Sequence, residues 1–352
     1  KWLRDYLETD ATESELQKCL SLCGPSIERI EDVGNDKVYD IEITSNRIDT
    51  ASVVGVVQEA LAILPMFGKK AKLKSNPLHD LKFNNLKFPN ADPLDVKITN
   101  PSLCSRFTAI LLDNIKIAPS PDFICERLNN VGIKSINNVV DISNYLMITL
   151  GQPVHTFDFD KIRGGKMIVR ESVKGEKLIT LDDKEVILKG GDIVIEDGSG
   201  ELIDLCGIMG GKNSSITDNT KRVLLFVQTY NKEKIRKTTM TTGQRTVAAT
   251  YFEKGLDEER VEKYASGKIA SRLYDIYPEP YKMRYITISE SFLNDMLGVK
   301  LEKGSAQNIL TNLGFEVKTE SSGTLEVGVP PHRKYDIMIQ EDIVEEVARI
   351  YG

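Results

Sequence analysis

Four carboxylates near residue 340 have a spacing that suits a metal ion. Asp342, Glu345 and Glu346 are three and four residues apart, so a helix would carry them on one face. Asp336 lies just before that helix and could fold back towards them. Carboxylate oxygens that converge in this way suit magnesium. The alternative is that the helix macrodipole stabilises these carboxylates, with Glu345 paired to Arg349.

The second candidate is a histidine in a restrained loop. His155 lies in the stretch GQPVHTFDFDKI, residues 151–162, where glycine and proline shape the backbone before one imidazole. It could orient a substrate, or it could be a buried group with satisfied hydrogen bonds. The chain has three histidines, and its cysteines form no CxxC pair, so we expect no zinc site.

The third candidate is the glycine-rich segment CGIMGG, residues 206–211. It matches neither a Walker loop nor a dinucleotide fingerprint. Its glycines would allow the backbone to approach a ligand closely, and an ordinary strand turn is the alternative.

The fourth candidate is a basic stretch, NKEKIRKTTMTTGQRT, in a chain that is otherwise acidic. It could receive nucleic-acid phosphates, and a solvated helix face is the alternative. Its basic residues are Lys232, Lys234, Arg236, Lys237 and Arg245.

The composition is that of a globular protein. The chain has 352 residues, of which 41% are hydrophobic and 28% charged, and a net charge of −6. This charge argues against a protein whose whole surface binds nucleic acid by bulk charge, and it leaves a local basic groove open. Because the start is polar we expect no signal peptide, and the sequence has no apolar run of about 18 residues that could span a membrane. Five scattered cysteines indicate buried thiols in a reducing cytoplasm, so we expect a cytoplasmic protein.

The hydrophobic pattern predicts a multidomain α+β fold. We expect a small α/β amino-terminal domain at 1–75, a linker rich in proline, lysine and asparagine at 76–100, a larger mixed β-rich domain at 101–280 and a small α/β domain at 285–352.

Three local patterns predict helices that would position these candidates. Thr12 and Glu15 have the spacing of a capping box at the start of a helix. Ser120 is placed to cap a second helix, with Pro121 in its first turn. The segment NNVVDISNYLMITLG, residues 137–151, is apolar nearly all round, which predicts a buried helix.

In this order along the chain, several segments together resemble the beta subunit of bacterial phenylalanine–tRNA ligase. The segments are YDIEITSNRIDTASVVGVVQEA, GIKSINNVVDISNYLMITLGQPVHTFD, CGIMGG, IRKTTMTTGQRT, FEKGLD and DIMIQEDIVEEVARIYG. No single motif is decisive, whereas the ordered set is specific and covers almost the full chain.

The resemblance implies an amino-terminal domain without the oligonucleotide-binding insertion of many relatives, a B3/B4 editing domain and a B5 domain. The editing domain would hydrolyse tyrosine wrongly attached to tRNA(Phe). The family works as a heterotetramer of two alpha and two beta chains, and its alpha subunit carries the aminoacylation site. The family chain continues past ARIYG into catalytic-like and anticodon-binding domains, so we expect this chain to be part of a longer one.

The resemblance also implies a magnesium ion shared with the alpha subunit. The acidic set, Asp336, Asp342, Glu345 and Glu346, would hold this ion. The resemblance further implies which residues form the editing pocket. The pocket residues are Lys134, Asn144, Pro153, His155, Gly207, Gly210, Phe226, Thr246 and Ala248.

Two of the pocket positions depart from the family pattern. Lys134 replaces an arginine, which keeps the charge but loses the planar fork. Phe226 replaces the glutamate that would accept the hydroxyl of tyrosine, and an apolar ring accepts no hydrogen bond. Gln228 would point the same way from a strand and could take over this role. Three functions stay open at this point: tyrosine editing, a scaffold without editing, and an independent nucleic-acid-binding module.

Overall fold

The computed structural model describes residues 1–75, 94–259, 271, 273–319 and 323–351. They form two compact units. One unit holds the beginning and the end of the chain, with the short stretch Thr149–Gly151, and the other holds the middle. Helices and strands mix in both units, so the predicted α+β class is confirmed. Most of the predicted linker lies outside the described residues. In the described part of the chain, every helix is too short or too polar to cross a membrane.

The first unit combines the predicted domains at 1–75 and 285–352. Its helices are α1 (Trp2–Tyr6), α2 (Glu13–Cys23), α3 (Val53–Ile63), α8 (Glu290–Leu297), α9 (Ser305–Asn312) and α10 (Gln340–Tyr351). Its strands are β1 (Leu7–Thr9), β2 (Ser26–Val33), β3 (Asp36–Glu42), β4 (Ala71–Leu73), β16 (Arg284–Ser289), β17 (Glu316–Thr319) and β18 (Thr324–Val329). The strands pair as β1 with β4, β2 with β3, and in the order β16-β18-β17, all antiparallel.

A shared apolar core explains why the two ends of the chain form one unit. Leu20 of α2 and Val57 of α3 belong to the same buried cluster as Leu310 of α9, Val327 of β18 and Val347 of α10. The predicted capping box at the start of α2 is confirmed, because the Thr12 hydroxyl accepts from the backbone N–H of Glu15 at 3.3 Å and the Glu15 carboxylate accepts from that of Thr12 at 2.9 Å.

The second unit holds two larger sheets. Its helices are α4 (Asp122–Asn130), α5 (Asn138–Leu150), α6 (Lys232–Thr242) and α7 (Val247–Phe252). Its strands are β5 (Asp95–Ile98), β6 (Cys104–Leu112), β7 (Val154–Asp158), β8 (Lys166–Glu171), β9 (Lys177–Ile179), β10 (Glu185–Ile187), β11 (Ile193–Asp197), β12 (Leu202–Leu205), β13 (Met209–Gly210), β14 (Val223–Tyr230) and β15 (Tyr274–Ile276).

One sheet has the order β15-β6-β14-β7 and is antiparallel, and the other has the order β13-β12-β11-β8-β5 with β5 parallel to β8. Strands β9 and β10 form a separate hairpin.

Two details of the predicted helices differ from the structure. The Ser120 hydroxyl does not cap α4 but donates to the buried carboxylate of Asp141 at 2.6 Å, and Pro121 is the N-cap residue. Helix α5 is not buried all round, since Ile142 is 42% exposed. The apolar run therefore gave the correct helix but overstated its burial.

Candidate functional site

The imidazole of His155 lies among aromatic rings. On β7, His155 is paired with Phe226 of β14, so both side chains extend from the same face of the sheet. The edge-to-face contacts of the imidazole are with Phe157, at 4.7 Å between centroids, and with Phe226, at 5.7 Å. The His155 side chain is 28% exposed. The sequence motif therefore places one partly exposed imidazole against the rings of two phenylalanines.

The glycine turn lies directly against this imidazole. A Cβ atom on Gly210 would be 2.5 Å from Nε2 of His155 and 2.6 Å from Cε1, so only glycine leaves room for the ring. Gly207 has a φ of +69°, and a Cβ there would meet the rings of Phe252 and Tyr230 at 3.0 to 3.1 Å. The structure thus brings three of the predicted residues, His155, Gly210 and Phe226, into one site.

Sequence reasoning missed one residue of this site, Asp204. It lies on β12 opposite Gly210 of β13, and its Oδ1 atom is 4.0 Å from Nε2 of His155. The Asp204 side chain is 5% exposed, and burial raises its pKa to about 8, whereas burial lowers the pKa of His155 to about 4. Both groups are therefore uncharged at neutral pH. The available signal was a lone carboxylate in the apolar segment LIDLC.

Asp204 should give the stability of the protein a measurable pH dependence. Its pKa rises from 3.8 to about 8 on folding, so the folded state holds the proton longer and the free energy of unfolding falls as the pH rises through this window. The lowered pKa of His155 has the opposite effect, because it makes the free energy of unfolding rise with pH, but only between about pH 4 and pH 6.5. Above about pH 6.5 it therefore does not offset the fall caused by Asp204. We expect Asp204→Asn to remove that decline, as measured by urea unfolding between about pH 6 and pH 9.

The control for this measurement is Asp197→Asn. Asp197 is also buried, but hydrogen bonds from the Ser199 hydroxyl and from backbone N–H groups outweigh burial and lower its pKa. The stability that ionised Asp197 contributes is lost only at acidic pH. Above pH 6.5 the free energy of unfolding of Asp197→Asn should therefore change with pH as it does in the parent protein. An unchanged slope in the Asp204 variant would contradict the assignment.

Phe226 belongs to an aromatic cluster under the imidazole. The ring is fully buried, stacks on Phe157 at 5.0 Å and 19°, and lies 5.5 Å from Phe107. Because this ring is apolar, Phe226 cannot accept a hydrogen bond, as the sequence indicated. Two residues along β14, the Oε1 atom of Gln228 is buried with no hydrogen-bond partner among the described residues, as is Oε1 of Gln152.

The remaining predicted pocket residues differ in how deeply they are buried. Pro153 is buried just before β7, and Asn144 is half-buried on α5. Lys134 is exposed in the loop before α5. That loop is held by Asp141, whose carboxylate accepts from the Ser135 hydroxyl at 2.5 Å and from a backbone N–H at 2.8 Å.

Thr246 holds the glycine turn rather than presenting its hydroxyl proton to a ligand. As the N-cap of α7 it accepts from the backbone N–H of Ala249 at 3.1 Å, and it donates to the carbonyl of Ile208 at 2.9 Å. Ala248 lies half-buried in the first turn of α7. Thr246 therefore bridges α7 and the glycine turn, and its place in the editing pocket stays a prediction.

The basic stretch forms α6 and the loop that follows it. Arg236, Lys237 and Arg245 are exposed, and Lys232 is half-exposed. The ammonium group of Lys234 pairs with Glu171 of β8. Arg245 directly precedes Thr246, so the exposed positive charge adjoins the glycine turn.

The four carboxylates of the predicted metal site do not converge on a shared point. The buried guanidinium of Arg333 binds Glu346 with two hydrogen bonds, at 2.7 and 2.9 Å, and Asp336 at 3.0 Å. Asp342 accepts from the backbone N–H groups of residues 338 and 339, just before α10. Glu345 is exposed. In the described part of the chain, no three such side chains are grouped as metal ligands.

The acidic set therefore does not fit a magnesium ion as it is arranged here, because an arginine already neutralises two of its members. The pair of Glu345 with Arg349, which the alternative interpretation offered, is not formed. Arg349 instead binds Glu346 at 2.6 Å and Glu59 of α3 at 2.6 Å. A magnesium ion bound together with an alpha subunit stays a prediction.

Comparisons with known proteins match two parts of the chain to family models. The model for the B3/4 domain matches residues 103–272, and the model for the tRNA synthetase B5 domain matches residues 286–352. These ranges lie inside the predicted domains at 101–280 and 285–352.

The curated relatives agree with these matches. The chain is 36% identical to the phenylalanine–tRNA ligase beta subunits of Carboxydothermus hydrogenoformans and Clostridium tetani, over 94% of its length. It spans about two fifths of those relatives, 41% and 42%. The same name is given to a relative from Thermotoga maritima that is 33% identical over 92% of the chain.

A solved structure shares the fold. The chain is similar to an amino-terminal fragment of the phenylalanyl-tRNA synthetase beta subunit from Pyrococcus horikoshii, with a TM-score of 0.51 and 16% identity over 97% of this chain and 95% of that one. This likeness shows the fold, and the two matched domains and the curated relatives show that the chain belongs to the family of phenylalanine–tRNA ligase beta subunits.

Proposed function

We propose that the chain acts within a phenylalanine–tRNA ligase and that its B3/4 domain hydrolyses tyrosine wrongly attached to tRNA(Phe). The observation that carries this proposal is the partly exposed imidazole of His155 against the glycine turn, within the matched B3/4 range. An apolar pocket rejects an added hydroxyl only about 100-fold, so a ligase that selects phenylalanine needs a second site to remove tyrosine.

The chemistry that this site supports is hydrolysis by a positioned water. His155 is neutral at neutral pH and acts as a hydrogen-bonding group that orients the ester or the water. The terminal ribose hydroxyl of the tRNA assists the attack. Cys206 is not the nucleophile, because burial raises the pKa of its thiol well above the ordinary value. No covalent intermediate with the protein is involved.

The exposed cations on and after α6 would receive the backbone of the tRNA. Phosphate contacts position a nucleic acid without reading its sequence. A phosphate near Arg245 would lie next to Thr246, whose hydroxyl holds the carbonyl of Ile208 in the glycine turn. This arrangement would bring the esterified end of the tRNA towards His155.

The name beta subunit, given to the curated relatives, supports an alpha subunit as a partner. We propose that the chain works with an alpha subunit, which carries out aminoacylation, in a cytoplasmic complex of two alpha and two beta chains that binds tRNA(Phe). The editing step belongs to the B3/4 domain and does not use the aminoacylation site.

His155→Ala tests the proposed function. The measurement is the rate of deacylation of tyrosyl-tRNA(Phe), and the variant should lower it by about 100-fold because a positioned acid–base or hydrogen-bonding group contributes about 10²–10⁴-fold. His332→Ala is the matched control, since His332 lies in the other unit and should leave the rate unchanged. Equal rates in the parent protein and in His155→Ala would refute the role of the imidazole.

A scaffold without editing is the second candidate, favoured by the full burial of Phe226 among aromatic rings. It predicts no deacylation by the parent protein. Phe226→Glu separates the two explanations, because gain of hydrolysis in that variant alone would show that the fold of the site is intact and that editing lapsed at this position.

A further inference from the structure

Among the described residues, the imidazole of His155 lies against two aromatic rings and a glycine and faces one carboxyl group. Phe157 and Phe226 meet it edge to face, and Gly210 lies against Nε2 and Cε1. The carboxyl group of Asp204 faces Nε2 at 4.0 Å. Within the described residues, Asp204 is thus the group placed to determine which ring nitrogen carries the proton.

We propose that Asp204 is a positioning residue that selects the tautomer of His155. Its carboxylic O–H donates to Nε2, so that Nδ1 carries the ring proton and is the nitrogen that donates to the ester or the water. The gap of 4.0 Å must close by about 1 Å for this hydrogen bond, and such contacts are often long before substrate binds. The link to hydrolysis rests on the proposed function, whereas the tautomer does not.

The surroundings of Asp204 favour the protonated, donating form. Burial raises its pKa to about 8, so it carries a proton at neutral pH. In the part of the chain that the structure describes, the titratable groups that face it are His155 on β7, the thiol of Cys206 just after β12 and the phenol of Tyr230 on β14. The pKa values of Cys206 and Tyr230 are raised well above their ordinary values, so both stay neutral. No cation among these groups draws the proton from Asp204.

Two substitutions separate hydrogen bonding from packing. Asp204→Asn keeps a donor, because its amide N–H can take the place of the carboxylic O–H towards Nε2. Asp204→Ala removes the donor. The tautomer is read from the ¹⁵N and ¹H resonances of the imidazole in the full chain. The chain has three histidines, so comparison with His155→Ala assigns the signal.

We expect Nδ1 of His155 to be protonated and Nε2 to be a hydrogen-bond acceptor in the parent protein and in Asp204→Asn. In Asp204→Ala the ring should change to the other tautomer or to a mixture. A parent protein with the proton on Nε2, or a tautomer that is unchanged in Asp204→Ala, would overturn the proposal.

Deacylation of tyrosyl-tRNA(Phe) gives the second readout. Asp204→Ala should lower kcat by about 100-fold, because loss of orientation by about 1 Å can cost that much. Asp204→Asn should stay close to the parent rate and lose the decline above about pH 8 that the parent shows. Equal loss in both variants would overturn the tautomer role. If the parent protein hydrolyses nothing, the proposed function fails, while the tautomer spectra still decide the inference.

Discussion

Replacing Arg333 with methionine is expected to lower the free energy of unfolding of the protein by about 3–5 kcal/mol. Arg333 is 2% exposed and binds both Glu346 and Asp336. Without the guanidinium, Asp336 would lose its cationic partner and Glu346 would keep only Arg349. A buried charge that is not fully compensated is costly. The measurement is urea or thermal unfolding at neutral pH.

Two further variants of this chain test whether the effect is specific to the buried charges. Lys318→Met breaks an ion pair with Glu316 in which both side chains are about half exposed, so it should change stability by less than about 1 kcal/mol. A protein that combines Arg333→Met with Asp336→Leu and Glu346→Leu should recover much of the loss, because no buried charge is left unpaired. A loss in Arg333→Met no greater than in Lys318→Met would show that water or other side chains satisfy the two carboxylates.

The size of this effect depends on contacts that no local pattern reveals. Arg333 and Arg349 both bind Glu346, and Arg349 continues to Glu59, which binds Arg47 at 2.5 Å. Charges of opposite sign therefore alternate along a path from α10 to α3, and Arg349 and Glu59 are 290 positions apart in the chain. Spacing within residues 336–346 correctly predicted an acidic helix, but it did not show that arginines neutralise it.

The candidate site was predictable where a residue type determines backbone geometry. The glycine-rich turn and the loop before His155 were both candidates from the sequence, and the structure places one against the other, which the sequence did not predict. Asp204 was not predictable in the same way. A single carboxylate in a strand is usually solvent-exposed, and only the pairing of β12 with β13 and the packing of β7 against that turn bring it to the imidazole.

Gly210→Ala is expected to abolish the proposed hydrolysis, with a loss of about 100-fold or more. The added methyl group would lie 2.5 Å from Nε2 of His155, a distance that real Cβ atoms do not tolerate, so the imidazole must move. A shift of about 1 Å in a positioning group can cost about 100-fold in rate, and overpacking of a buried site costs about 1–3 kcal/mol of stability. Deacylation of tyrosyl-tRNA(Phe) and urea unfolding measure the two effects.

The double variant Gly210→Ala with His155→Ala shows whether the collision with the imidazole is the cause. Removing the ring leaves space for the new methyl group, so the stability lost in Gly210→Ala should be recovered while hydrolysis stays absent. Additive losses in the double variant would mean that the added methyl group disturbs the turn itself, independently of the ring. Recovery of stability without activity would establish that position 210 matters to the proposed editing because it determines where the imidazole of His155 can lie.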